Sequence, residues 1–330
     1  LPAAWLRHHW PGGQPAQDFA EILLDAPRFS IKSSAQEDRR IRRVRLIAFQ
    51  HEGRAALGAR LGEDVVALAD VVPDLPQDPT MALATLGLPD GASALAAKLA
   101  SAPRRPLRGL TLLPAVPRPG KIICIGLNYA LHAKEGGNPI PDYPAVFFRG
   151  PTSLAAHGEP LLRPKVSDKF DFEAELAVVI GRRARHLTEA EALGCVAGYT
   201  CMNEGSVRDY QRKSAQWTMG KNFDRTGGLG PEIVTPDELP QGPNALRITS
   251  RLNGQTMQDS HTSDMIFAVP RILAILSEVM TLEPGDVIAT GTPSGVGYAR
   301  KPPVFMKAGD RMEIEIEGIG ILSNPVEDEA

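Results

Sequence analysis

The sequence predicts an α+β protein that is mainly β, and three observations predict it. Short alternating or apolar runs recur from Val44 onward, turn residues separate them, and only short helical patterns fall between them. A doubly wound parallel sheet needs strands to alternate with long helices, so that class is excluded.

Taken in order, residues 1–40 begin with Leu, carry Trp5 and Trp10 and a short helical pattern around Phe19, Ile22 and Leu23, and form an extension of unassigned role. Residues 41–115 read as a small β-rich domain. VRLIAFQ, a turn at His51-Glu52-Gly53, AALGARLG, a turn at Glu63-Asp64 and VVAL make a meander, followed by a helical segment near 92–100. The Pro- and Arg-rich stretch 101–120 leads into a larger domain over 116–330 that opens on KIICIG. There Thr188, with Glu191 three residues on, forms a capping box. Pro270 suits the first turn of a helix whose apolar stripe is Val269, Ile272, Leu273 and Leu276. In LRITSRLNGQTMQ, Asn253-Gly254 supplies the positive φ angles of a tight hairpin. DVIATG adds a strand, and RMEIEIEGIGIL adds more, with Met312, Ile314 and Ile316 alternating against Glu313 and Glu315.

Composition narrows the partners. A net charge of -3 and a pI near 6.2 give no electrostatic case for nucleic acid or an anionic membrane. The basic run Arg39, Arg40, Arg42, Arg43 and Arg45 has no interleaved aromatic residues and reads as a solvated face. Cys124, Cys195 and Cys201 are odd in number and lack metal-finger spacing, so they read as reduced thiols packed in a core. No apolar run reaches the roughly 18 to 20 residues that cross a bilayer, and no secretory pattern opens the chain. The expectation is a soluble, cytoplasmic protein.

Chemistry enters at DFEAELAVVIG, residues 171–181. Alternate residues of a strand share one face about 6.6 Å apart, so Glu173 and Glu175 point the same way within repelling distance and call for a cation between them. Glu204, at the end of a strand over 199–203, adds a third carboxylate. Three carboxylates suit a hard divalent cation such as Mg²⁺ or Mn²⁺, which takes oxygen ligands and keeps waters that leave room for substrate. By spacing alone Glu-x-Glu is a weak signal, because any half-exposed strand alternates in this way.

Six ordered blocks add weight: NYALHAKE (128–135), DFEAELAVVIG (171–181), NEGSVRDYQ (203–211), WTMGKNFD (217–224), NGQTMQDSHTSDMIF (253–267) and TGTPSGVG (290–297). Over residues 44–326 the chain resembles the fumarylacetoacetate hydrolase family. The resemblance implies a mixed β-sandwich roll, a homodimer, and Mg²⁺ or Mn²⁺ held by Glu173, Glu175 and Glu204. It implies small 2-oxo acid substrates with a 1,3-dicarbonyl relationship, met in aromatic or sugar-acid breakdown. His132 and Glu135 become a water-activating pair on a lid hinged at Gly136 and Gly137, and Lys221 a stabiliser of enolate or oxyanion charge. Tyr129, Arg149, Arg208, Gln211 and Thr292 become substrate contacts.

The resemblance departs at two places. Glu204, followed by Gly205, stands where the family usually has Asp, and Arg149 stands where many relatives have Lys. Glycine permits the backbone to retreat for the longer acid. The activity implied is hydrolysis of a carbon–carbon bond in an acylpyruvate or fumarylpyruvate-like acid. Oxaloacetate decarboxylation and hydroxymuconate isomerisation or hydration on the same site are alternatives, as is an inactive binding or structural member. TGTPSGVG lacks the Gly-Lys-Ser/Thr ending of a phosphate loop. His261 reads as a polar loop residue, and Asp209 as one that orders the site.

Overall fold

The computed structural model describes residues 44–87, 95 and 98–330. The helical pattern around Phe19, and most of the one near 92–100, lie outside them. The meander forms as its turns dictate: Arg45–His51, Arg54–Leu61 and Asp64–Ala67 pair antiparallel in succession. Its first strand also pairs with Gly227–Val234, which joins it to a larger mixed sheet. Beyond Gly227–Val234 that sheet runs through Val196–Asn203, Ala174–Ile180, Val287–Ala289, Ile122–Gly126 and, at the edge, Ala145–Arg149. A second sheet orders Gln255–His261, Arg247–Leu252, Arg311–Ile316, Gly320–Asp328 and Leu161–Arg163.

Local signals explain the connections. The hairpin between Arg247–Leu252 and Gln255–His261 turns on Asn253 and Gly254 alone, both at positive φ (53° and 79°), which matches the right-handed twist of its strands. Thr188 and Glu191 cap the Glu189–Ala192 turn reciprocally. The Val269–Val279 helix has Pro in its first turn and buries Val269, Ile272, Leu273 and Leu276. All three cysteines are free and buried.

One strand places the site. Ala174–Ile180 is buried along its whole length rather than on one face. Leu176, Val178 and Ile180 pack between the sheets against Ile248, Ile314 and Leu322. Ala177 and Val179 face the other way, in a core with Leu46, Met202 and Ile233. Burying one such aliphatic side chain is worth about 1.5–3 kcal/mol, and a slip of one residue would exchange the two faces, so the register is strongly specified. The odd-numbered face continues past Ala177 to Glu175 and Glu173, where the core gives way to a cavity.

Arg45 departs from the solvated face expected of the basic run. Its Nη1 lies 2.5 Å from Glu232 Oε1 and its Nε 3.0 Å from Glu238 Oε2, and both acids are buried. The other four arginines of that run lie outside the described residues.

Candidate metal centre and active site

Glu173 sits just before the Ala174–Ile180 ladder, held by its backbone. Its N–H donates to Asn203 Oδ1 (3.0 Å), and its carbonyl accepts the Glu204 N–H (2.8 Å). Glu175 lies within the ladder opposite Met202. The two strands thus bring the three acids together, with one oxygen of each within 4.8 Å of the others. Glu173, Glu175 and Glu204 are only 4%, 2% and 0% exposed, far from the half-exposed alternation that spacing alone allows.

The cations that such burial demands are present, though not between Glu173 and Glu175. Lys221 Nζ lies 2.7 Å from Glu173 Oε2 and also touches Glu204 Oε2. Its short helix, Thr218–Lys221, closes on Arg208–Gln211 through Gly220, where a Cβ would fall 2.4 Å from the Gln211 nitrogen. Arg208 donates through Nε to Asp171 Oδ2 (2.8 Å) and through Nη1 to Gln211 Oε1 (3.0 Å). Its Nη2 lies 2.7 Å from Glu173 Oε1, a close ion pair whose N–H is not aligned for a hydrogen bond. Arg149 pairs with Glu204 Oε1.

Glu175 has no ion pair among the described residues and accepts only the Gly291 N–H (2.8 Å). The electrostatics follow. Burial would raise the Glu173 carboxyl, but Arg208 and Lys221 override it and hold that group well below its usual range. Burial, then the charges of Glu204 and Glu173, push Glu175 well above its usual range. Burial outweighs Lys221 and Arg149 at Glu204, which is raised to about 7. Four buried carboxylates, counting Asp171, thus face three cations. The donor set fits a divalent ion, which would be held by Glu173, Glu175 and Glu204 and would supply the missing positive charge.

The cavity, of about 410 Å³, is also lined by His132, Gln211, Thr292 and Lys221. His132 Nδ1 lies 2.8 Å from Glu135 Oε1, and Glu135 Oε2 accepts the Gly295 N–H (2.9 Å). A carboxylate can only accept, so Nδ1 carries the proton and Nε2 is left as a base. Thr292 Oγ1 accepts from Gln258 Nε2 (2.7 Å), leaving its own O–H free to donate. TGTPSGVG runs as a loop and opens only the short turn Gly297–Ala299.

Two expected substrate contacts stand elsewhere. Tyr129 is 1% exposed, precedes the Ala130–Glu135 helix and finds no partner for its buried hydroxyl among the described residues, outside the cavity lining. Arg149 lies behind Glu204, also outside the lining. Asp209 bonds Ser167 at the surface, and Asp171 is the acid that orders Arg208. Asp171 was legible, since it shares the period-2 face of Glu173 and Glu175. His261 ends its strand, accepts from the Ser263 N–H and is not part of the cavity lining.

Further cavity residues are given no role by the sequence, although Trp217 opens the WTMGKNFD block. Tyr298 is stacked between Arg208 and Arg212, whose guanidinium carbons lie 4.5 and 4.7 Å from its ring centre. Phe147 and Trp217 meet edge to face at 5.5 Å and form an apolar flank.

A family model described as the C-terminal domain of fumarylacetoacetate (FAA) hydrolase matches residues 121–327. The chain belongs to the fumarylacetoacetate hydrolase family. The human protein named oxaloacetate tautomerase FAHD2A, mitochondrial, is 38% identical over 315 residues, 92% of this chain and 96% of that one. The structure of the fumarylacetoacetate hydrolase from Exiguobacterium antarcticum superposes with a TM-score of 0.75 at 34% identity, covering 87% of this chain and all of that one. Maleylpyruvate hydrolase from Sphingobium sp. SYK-6, solved with manganese(II) and pyruvate, gives a TM-score of 0.72 at 30% identity over 87% of this chain and 100% of that one. The mixed β architecture expected of the family is thus the one observed. The mitochondrial label on the human relative, and on its rat and bovine counterparts, overturns the expectation of a cytoplasmic protein. Among the described residues no helix is long and apolar enough to cross a membrane.

Proposed function

We propose that this chain is a divalent-metal-dependent enzyme that moves a proton at the carbon beside the carbonyl of a small 2-oxo acid. On this reading it interconverts the keto and enol forms of an oxaloacetate-like dicarboxylate. The observation that carries the reading is that His132, held by Glu135, lines the same cavity as the three acids. When bound, the ion would act as a Lewis acid toward the 2-oxo oxygen. His132 Nε2 takes the proton from the adjacent carbon and returns it to oxygen or carbon, with Glu135 steadying the imidazolium. The ammonium of Lys221 stabilises the negative charge that develops meanwhile. Thr292 O–H and the amide N–H groups of Gln211, which have no acceptor among the described residues, orient the substrate's 1-carboxylate.

A second carboxylate has its own partner. Among the described residues Arg212 lines the cavity without an acidic partner, held only against Tyr298. The tautomerase name of relatives aligned over most of both chains supports oxaloacetate as the first substrate to try.

The second reading is the carbon–carbon hydrolysis that the sequence first suggests. It is favoured by the same base, which can equally deprotonate a water, and by the maleylpyruvate hydrolase likeness. The homodimer implied by the family resemblance is part of both readings. The test is one assay series on protein reconstituted with Mg²⁺ or Mn²⁺: loss of oxaloacetate enol absorbance, and cleavage of acylpyruvates. Enol decay faster than the uncatalysed rate without product cleavage supports the first reading. Cleavage alone supports the second, and neither reaction with either metal removes both.

A further inference from the structure

We propose that Arg149 is a positioning residue that sets which ion the acids take, by holding one oxygen of Glu204 and confining that carboxylate to a single ligand atom. The inference rests on the metal reading above and extends it from the presence of an ion to the choice among ions.

Arg149 ends the edge strand Ala145–Arg149, and its side chain is fully buried. The guanidinium lies in a fitted nest. Nε donates to Ser153 Oγ (3.2 Å), Nη2 to Thr226 Oγ1 (3.0 Å), and Nη1 to both the Gly205 carbonyl (2.9 Å) and Glu204 Oε1. Four of its five N–H groups are engaged within the protein, so little is left for a substrate carboxylate.

The backbone is shaped to admit it. A Cβ on Gly227 would stand 2.8 Å from Nη2, and one on Gly205 would fall 2.0 Å from the Thr226 carbonyl oxygen. Gly205 is therefore needed for close packing behind the longer acid.

The same division of labour holds at each acid. Glu173 Oε1 is engaged by Arg208, Glu175 Oε2 by the Gly291 N–H, and Glu204 Oε1 by Arg149. Each carboxylate keeps one oxygen uncommitted to these donors, and Lys221 lies against those of Glu173 and Glu204. Small ions such as Mg²⁺ accept single oxygens and keep waters, whereas Ca²⁺ takes six to eight ligands and favours two-oxygen carboxylates. A clamp on Glu204 Oε1 thus disfavours Ca²⁺.

The test is calorimetric titration of metal-stripped wild type and R149M with Mg²⁺, Mn²⁺ and Ca²⁺ separately. Removing a nearby positive charge strengthens binding of all three divalent ions, so the readout is the ratio of the Ca²⁺ to the Mg²⁺ dissociation constant. Wild type should favour Mg²⁺ and Mn²⁺, and R149M should shift the ratio toward Ca²⁺ by about tenfold, the lower end of outer-shell effects on metal affinity. A ratio unchanged within about twofold in folded R149M, or a wild type that already prefers Ca²⁺, overturns the proposal. Should R149M fail to fold, S153A/T226V loosens the same guanidinium without removing its charge. It should shift the ratio in the same direction by a smaller factor than R149M, and an unmoved ratio there is equally fatal. Wild type that binds no ion refutes the metal reading itself, whereas binding with an unmoved ratio refutes only the clamp.

Discussion

Two buried charge clusters share one sheet, and their difference shows which of them can do chemistry. At Glu232, 1% exposed, Arg45 and Arg60 each engage one carboxylate oxygen, and Arg45 also reaches Glu238. Among the described residues these two acids are matched by two arginines. At Glu173, Glu175 and Glu204, with Asp171 beside them, four acids face three cations, Glu175 has no ion pair among the described residues, and a cavity opens alongside. A cluster that satisfies itself holds strands together. One that leaves a buried carboxylate unpaired is built to receive a charge from outside.

The sharpest way to break this comparison is E175Q, which keeps the side chain's size and removes the unpaired charge. It should abolish saturable Mg²⁺ or Mn²⁺ uptake by calorimetry and all measurable turnover; ordinary binding would show that the deficit at Glu175 is not what recruits the ion. Next in size, H132A should bind metal as wild type does while losing about 10²- to 10⁴-fold in kcat, the usual weight of a general base. Turnover that persists would move the base elsewhere in the cavity. R212Q should raise KM for a dicarboxylic 2-oxo acid by about tenfold, corresponding to one exposed charge-assisted contact of roughly 1.4 kcal/mol, and leave a monocarboxylic acylpyruvate unchanged. Equal effects on both substrates would separate Arg212 from recognition of the second carboxylate.

The smallest effect on the site is expected from the other cluster. E232Q should destabilise the fold by about 2–3 kcal/mol in urea unfolding, a figure reduced from the buried-pair range because Arg45 and Arg60 are partly solvated, and should leave the metal dissociation constant untouched. A change in metal affinity there would mean that the two clusters are coupled through the sheet.

Sequence determined the elements whose cause is local. Asn253-Gly254 turns a hairpin because only those residues take positive φ cheaply, Thr188 and Glu191 cap one another across three residues, and Pro270 starts a helix because its missing N–H would be unpaired there anyway. The shared face of Glu173 and Glu175 also follows from a two-residue period, and ordered motif blocks named the family. Tertiary structure decided what depends on residues far apart in the chain. Arg149 lies 55 residues from Glu204 in sequence, so its place behind a ligand rather than before a substrate could not be read from its neighbours. Tyr298, Arg212 and Trp217 belong to the cavity only because separate loops converge there. Periodicity fixes the direction of a side chain, but whether that direction leads to water, a counter-charge or an open site is set by what the rest of the chain packs against it.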